Sequence, residues 1–333
     1  MEEEYLDKKL PFAELLHRLF EDEPLSIPLL YQLSDLDTTD LAAFQARWPL
    51  VADERRQQIG RHLADLTEDS FTVDFALLFA ILLEDAIPVV RVAALDGLWD
   101  ATNVKLVAPI LRLLEEDGET AVRAAAAATL AHYVLMSEWG ELPPFVSTRI
   151  VPRLLAQYEA VGTETAVKRA ALEAMAAANH PRVSHLIEEA YEDNELEMQL
   201  SAVFAMGSSA DLRWLHIVLQ ELESPIAEMR AEAARAAGVL GSSDAVPGLA
   251  ELTLDEDSDV VEAAIIALGQ IGGEEPTRIL TELLEDPEAE SFYEAIEESL
   301  EEMSWLSGDF ELFAFDDSDD ADDEDDLGLF SQN

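Results

Sequence analysis

Apolar residues recur along most of the chain at i, i+3, i+4 and i+7, and no convincing run of period two interrupts them. That spacing gathers apolar side chains on one face of an α-helix. The pattern is also self-similar. Take as anchor the apolar residue that opens each Ala-rich stretch. The anchors are Val90, Val122, Val167, Met198, Met229 and Val260, spaced by 32, 45, 31, 31 and 31 residues. Four residues after each stands Ala: Ala94, Ala126, Ala171, Ala202, Ala233 and Ala264. Seven after it stands a small residue: Gly97, Thr129, Ala174, Ala205, Ala236 and Ala267. Nine after it stands Ala131, Ala176, Gly207, Gly238 or Gly269, with Trp99 as the exception. The residue after the anchor is basic in Arg91, Arg123, Lys168 and Arg230, whereas Gln199 and Val261 depart. Five before it stands Asp85, Asp117, Asp193 or Asp255, with Gly162 and Ser224 departing.

Small residues at these intervals make a flat helical stripe. They let a neighbouring helix approach near the short end of the usual 8–10 Å range. The upstream Asp or Ser suits a turn or an N-cap. Each Ala-rich helix is preceded by a second amphipathic segment, at residues 105–117, 145–160, 182–193, 211–223, 244–255 and 275–286. Three of these start on an apolar-Pro pair, Ala108-Pro109, Val151-Pro152 and Val246-Pro247, which fits a helix start. One unit is therefore helix A, turn, helix B. A single pair cannot bury its own apolar face, but stacked pairs bury a continuous core. Residues 291–303 continue the register as a polar end cap. Upstream, Arg55-Arg56 with Ile59 and Leu63 reads as one more helix B. The 45-residue spacing carries about 14 extra residues, and residues 137–144 are the expected insertion, emerging as a loop. The expected fold is an all-α α-solenoid: a helical cap over 1–52, about seven helix pairs over 53–306, and a disordered acidic tail over 307–333.

Residues 224–241 and 255–272 carry the repeat most fully, as acid or Ser, anchor, Ala, small residue and Gly. In this they resemble the HEAT repeat, in the short bacterial form also called phycobilisome-lyase-like. The resemblance covers roughly residues 53–306. It implies a right-handed superhelix whose concave side, lined by the second helices, is the binding face. It also implies that the basic residue after each anchor pairs with an upstream acid of its own or an adjacent repeat. Some HEAT enzymes similar to deoxyhypusine hydroxylase hold two irons on His-Glu pairs. None of the six histidines here is followed by Glu, so that activity is not expected. Other relatives of this repeat are bilin lyase and isomerase subunits, a role that only the repeat itself suggests.

Charge narrows the partner. Asp and Glu number 71 against 20 Lys and Arg, a formal net charge of −51. Such a field repels phosphate backbones and anionic lipid surfaces, so neither nucleic acid nor membrane is expected as a partner. The chain has no cysteine, which removes disulfides, thiol catalysis and Cys-based metal sites. The longest apolar run, residues 75–83, falls well short of the roughly 20 residues that span a bilayer. With an acidic N-terminus the chain reads as cytoplasmic. There is no Gly-x-Gly-x-x-Gly, Walker loop or nucleophile elbow, and carboxylate pairs are too common to mark an acid–base site. No cofactor is expected, and the favoured function is a non-catalytic scaffold binding a basic protein. The alternatives are a bilin lyase-like subunit, or an acidic chaperone that shields a nucleic-acid-binding protein.

Candidate contact residues fall in two places. Within residues 316–326 nine of eleven are acidic, which keeps a segment extended. It is bracketed by Phe310, Phe313 and Phe315 before it, and by Leu329 and Phe330 after it, an alternation typical of docking segments. An EF-hand reading fails, because the sixth position counted from Asp317 is Asp322 and not Gly. In the array, Trp139 lies in the expected insertion, and Trp214 lies beside Arg213 in a helix A. Trp and Arg dominate interface hot spots. Packing of Trp214 in the core is the competing expectation.

Overall fold

The structure is a computed structural model that describes residues 9–70 and 72–307, with backbone alone for 305–307. It is all-α, and no strand occurs among the described residues. The N-terminal cap holds α1 (Phe12–Glu21) and α2 (Thr38–Arg47). Asp37 caps α2, accepting from the backbone N–H groups of Thr39 and Asp40 at 2.8 Å. Phe20, Phe44 and Trp48 pack as one buried aromatic cluster, with the Phe44 and Trp48 rings stacked 5.0 Å apart. Next comes α3 (Asp53–Asp69), the helix read from Arg55-Arg56.

Seven pairs follow among the described residues. The first helices are α4 (Ala76–Leu82), α6 (Val107–Glu116), α8 (Phe145–Glu159), α10 (Pro181–Tyr191), α12 (Leu215–Glu221), α14 (Val246–Leu252) and α16 (Glu274–Leu284). The second helices are α5 (Pro88–Asp96), α7 (Thr120–Glu138), α9 (Thr165–Met175), α11 (Leu196–Ser208), α13 (Ala227–Leu240), α15 (Ser258–Ile271) and α17 (Tyr293–Ser307). All six anchors and the six Ala four residues on are buried in one continuous core.

The small residues explain how the second helices stack. A Cβ placed on Gly207 would lie 2.7 Å from the Cα of Ala236, and one on Gly238 would lie 2.9 Å from the Cα of Ala267. The ninth residue after one anchor thus abuts the seventh after the next. At the last joint a Cβ on Gly269 would meet Ser299, one place past the strict register, because α17 starts after a 3₁₀ turn at Pro287–Phe292.

Ion pairs tie the same joints. Arg230 donates to both carboxylate oxygens of Asp255, at 2.7 and 2.8 Å, and to the carbonyl of Ser224 at 2.9 Å. Arg91 repeats this one by one, donating to Asp117 at 2.9 Å and to the carbonyl of Asp85 at 2.8 Å. Arg56 reaches Asp85, and Arg123 reaches Glu164 at 2.6 Å. Gln199 keeps the contact within its own unit, to the carbonyl of Asp193, where the next unit carries Ser224 in place of an acid. The ladder residues Asp85, Asp117 and Asp255 have a second task, which Asp193 shares without an ion pair. Asp85, Asp117, Asp193 and Asp255 accept the backbone N–H two residues on, at 2.8–2.9 Å. They therefore shape the turn two residues before the N-cap and are not the caps themselves. Trp48 also donates to Asp85, at 2.6 Å, which seats the N-terminal cap on the first pair.

The insertion differs from the expected loop. Both flanking helices absorb it: α7 runs 19 residues against 14 in α13 and α15, and α8 runs 15 against 7 in α12. Pro152, expected at a helix start, lies inside α8, so the extra turns precede it. The short link left over is closed by local bonds, including the N–H groups of Glu141 and Leu142 to the Met136 carbonyl.

Candidate binding surface

Successive second helices meet through Gly and Ala, whereas successive first helices are linked by long side chains: Arg112 to Glu84, Arg153 to Glu115 at 3.1 Å, and Arg182 to Glu159 at 2.8 Å. A stack packed more closely along one layer curves toward that layer, so the second helices line the inner side. An open groove of about 430 Å³ runs there across α9, α11, α13 and the start of α15. Arg169 donates to the Ser201 hydroxyl at 2.8 Å, and Ser201 donates to Glu173 at 2.5 Å. Arg169 also reaches Glu197 at 3.2 Å, and Arg235 reaches Glu232 at 3.2 Å. The other Glu232 oxygen is buried with no partner. Burial pushes the Glu232 carboxyl above the usual carboxylate range, against the pull of Arg235.

Two columns of the repeat face solvent here. Six residues after their anchors stand Phe204, 42% exposed, and Arg235, both lining the groove, and then Ile266, 41% exposed on α15 but outside the groove's lining. One residue before their anchors stand Glu197, Glu228 and Asp259, all exposed. The surface thus offers carboxylate acceptors beside an apolar floor. Sequence reasoning missed these residues because it followed the buried columns of the repeat. The same register, read at the solvent-facing columns, marks them.

Residues 215–301 match the HEAT-repeat family, and the same register runs through the preceding pairs. The chain carries HEAT repeats. Solved structures similar to it include YibA of E. coli, at 17% identity, covering 86% of this chain and 99% of that one with a TM-score of 0.42. Human deoxyhypusine hydroxylase is 17% identical over 80% of this chain and 96% of its own, with a TM-score of 0.35. Yeast importin-beta, Kap95p, is 15% identical over 92% of this chain and 44% of its own, with a TM-score of 0.39. These likenesses are of fold alone. No curated protein matches the sequence.

The HEAT array places the expected contact residues unequally. Trp139 ends α7 and is 67% exposed, with Phe145 also exposed at the start of α8. Trp214 is a correction: only 3% of it is exposed, because the 3₁₀ turn at Leu212–Trp214 directs it into the core, and it cannot be a contact residue. Arg213 lies over its ring at 5.6 Å and pairs with Asp211 at 2.5 Å. The backbone N–H and guanidinium of Arg213 together hold the Asp211 carboxyl below its ordinary value. Phe310, Phe313, Phe315, Leu329 and Phe330 lie outside the described residues. His180 caps α10, accepting from the Arg182 N–H. Among the described residues no group of His, Asp and Glu is arranged to hold a metal, and no helix is long and apolar enough to cross a membrane.

Proposed function

We propose that this HEAT array is a non-catalytic scaffold that binds a protein partner with a basic surface along its inner groove. The observation that carries this reading is the exposed Phe204 set in one groove with Glu228 and Asp259, which make no ion pair among the described residues, with the exposed Ile266 further along α15. Apolar side chains rimmed by polar ones are the usual form of a protein contact site. The net charge of −51 steers a cationic partner toward it, and salt weakens that steering. The test is affinity capture at low and high salt with the native chain and with a Phe204→Asp, Ile266→Asp double variant. Both sites are partly exposed, so helix content should be unchanged. Loss of a basic partner in the variant, and weaker capture at high salt, support the reading. A partner retained by the variant and indifferent to salt refutes it.

A further inference from the structure

Four joints of the array open the next unit in the same way. Asn103, His180, Asp211 and Ser242 lead into α6, α10, α12 and α14. Each accepts the backbone N–H two residues on, at 3.0–3.3 Å. Three residues on stands Leu106, Val183, Trp214 or Ala245, and all four are buried. At α16 Gly273 takes the cap position, and Pro276 three on is again buried. At α4 Asp74 keeps the bond, but Leu77 is exposed. Before two of the caps the chain turns through a left-handed residue, Ala210 at φ 51° and Gly241 at φ 66°.

The sequence after α17 carries these features once more. α17 ends at Ser307, and next come Gly308, Asp309, Phe310, Glu311, Leu312 and Phe313. Gly308 matches Gly241, a residue suited to the left-handed turn that ends a helix. Asp309 matches the cap, and Leu312 the buried position three residues on. Ser-Gly-Asp-Phe-Glu-Leu at 307–312 parallels Ser-Ala-Asp-Leu-Arg-Trp at 209–214. Seven residues after the cap the parallel stops. Ile110, Ile187, Val218, Leu249 and Leu280 stand there in the array, all buried, whereas Asp316 stands there in the tail. Such a segment can open a first helix and cannot continue one.

A place for it lies beside the end of α17. In two joints the incoming start lines one cleft with the start of the preceding first helix. Asn103 does so with Ala76 and Leu77, and Asp211 and Arg213 do so with His180 and Ser184. The start of α16 has a matching cleft. Gly273, Thr277 and Arg278 line an open groove of about 600 Å³ with Leu300 and Met303 of α17 as its apolar floor. Ser304 also lines it, less than one turn before Ser307. We infer that residues 309–313 dock in this groove as the opening turn of an eighth first helix, with Leu312 and Phe313 on Leu300 and Met303, and so close the array. Asp309 accepts the N–H of Glu311, as Asp211 accepts that of Arg213. The acidic run from Asp316 is then held at the end of the array, and Phe313 packs within the chain and not on a partner. This reading does not depend on what the groove across α9, α11 and α13 binds.

The test is hydrogen exchange of the full chain, read by mass spectrometry in fragments covering 308–315 and 273–280. Amides of 311–315 are expected to exchange about tenfold slower than in a free peptide of the same sequence. Leu312→Asp should return them to the free-peptide rate and speed exchange at the start of α16. The seven pairs pack without Leu312, so this substitution leaves them folded. Phe330→Asp, beyond the acidic run, should change neither fragment. Asp309→Ala should lower the protection, and Asp309→Asn should keep it, because Asn103 makes the same bond. Free-peptide rates in the native chain overturn the docking. Protection that survives Leu312→Asp, or that Phe330→Asp removes, overturns the assigned contact.

Discussion

The ladder joint between Arg230 and Asp255 should couple two repeats energetically, and a double-mutant cycle reads that coupling. Arg230→Met keeps the apolar stem and removes the guanidinium. It strands a carboxylate that is only 10% exposed and keeps one backbone donor, that of Asp257. Removing one partner of a well-buried pair costs about 3–5 kcal/mol, and the retained donor places this case near 3. Asp255→Asn keeps an acceptor for the Asp257 N–H and so preserves the turn. In the double variant neither group is left charged without its partner, so its cost should be less than the sum of the singles by about 2 kcal/mol. Arg278 with Glu282, an exposed pair within α16, serves as the reference and should couple by less than about 0.5 kcal/mol.

Repeat arrays open locally, so a single melting temperature is a poor readout. Native-state hydrogen exchange of amides in α13 and α15 reports the opening of this joint directly. The pH dependence has a definite sign. Hydrogen bonding to Arg230 lowers the folded Asp255 pKa below its ordinary value. The stability it supplies is therefore complete above the unfolded value of about 4 and is lost as pH falls through the folded one. Protection should fall in acid in the native chain and less so in Asp255→Asn. Additivity within about 0.5 kcal/mol would show that the ladder geometry has no energetic consequence.

Gly238→Ala should destabilise by about 1–3 kcal/mol despite the better helix propensity of Ala, because its Cβ meets the Ala267 backbone; Gly118→Ala, with open space around it, should not, and chemical denaturation compares them. Trp214→Ala should cost about 3–5 kcal/mol of stability, whereas Trp139→Ala should stay within about 0.5 kcal/mol, and equal losses would contradict their burial. Glu232→Gln should raise stability at neutral pH. The folded pKa of Glu232 is raised, so the native chain loses stability as pH climbs from the unfolded value through the folded one, and the variant should lack that loss in a pH series of denaturation curves.

The array was legible because its packing residues repeat in the chain itself. Ala four after each anchor is buried at every joint, and a glycine nine after it marks where two backbones nearly touch. The basic position was legible as a ladder at Arg91, Arg123 and Arg230, whereas Lys168, read the same way, makes no ion pair among the described residues. Three things were not legible. The insertion was placed in a loop because Trp-Gly and Pro-Pro interrupt the pattern, yet residues on both sides keep helical spacing and lengthen α7 and α8. Trp214 gave no signal of its direction, because a short 3₁₀ turn sets it and 3.6-residue periodicity does not describe such turns. The groove residues were passed over because solvent-facing columns vary in type, Glu173, Phe204, Arg235 and Ile266 in one column, and only the buried columns announce themselves.

The ladder also bears on why so acidic a chain can present an acidic groove. Of its sixteen arginines, eleven reach an acid outside their own helix, among them Arg56, Arg91, Arg112, Arg123, Arg153, Arg182 and Arg230. Most of the cationic charge is thus fixed at joints between neighbouring elements; burial strengthens the pairs of Arg56, Arg91 and Arg230, whereas those of Arg112, Arg153 and Arg182 stay exposed and are worth little each. Of the carboxylates at the solvent-facing columns Glu197 is held by Arg169, while Glu228 and Asp259 make no ion pair among the described residues. Their mutual repulsion opposes compaction, and the joints oppose the repulsion. Adding lysines to the groove would relieve that repulsion and weaken the field that, in the proposed function, steers a basic partner. On this view the scarcity of lysine, four in the whole chain, and the placement of arginine at the joints are one feature. Stability is secured where the repeats meet, and the negative field is left standing where a partner would bind.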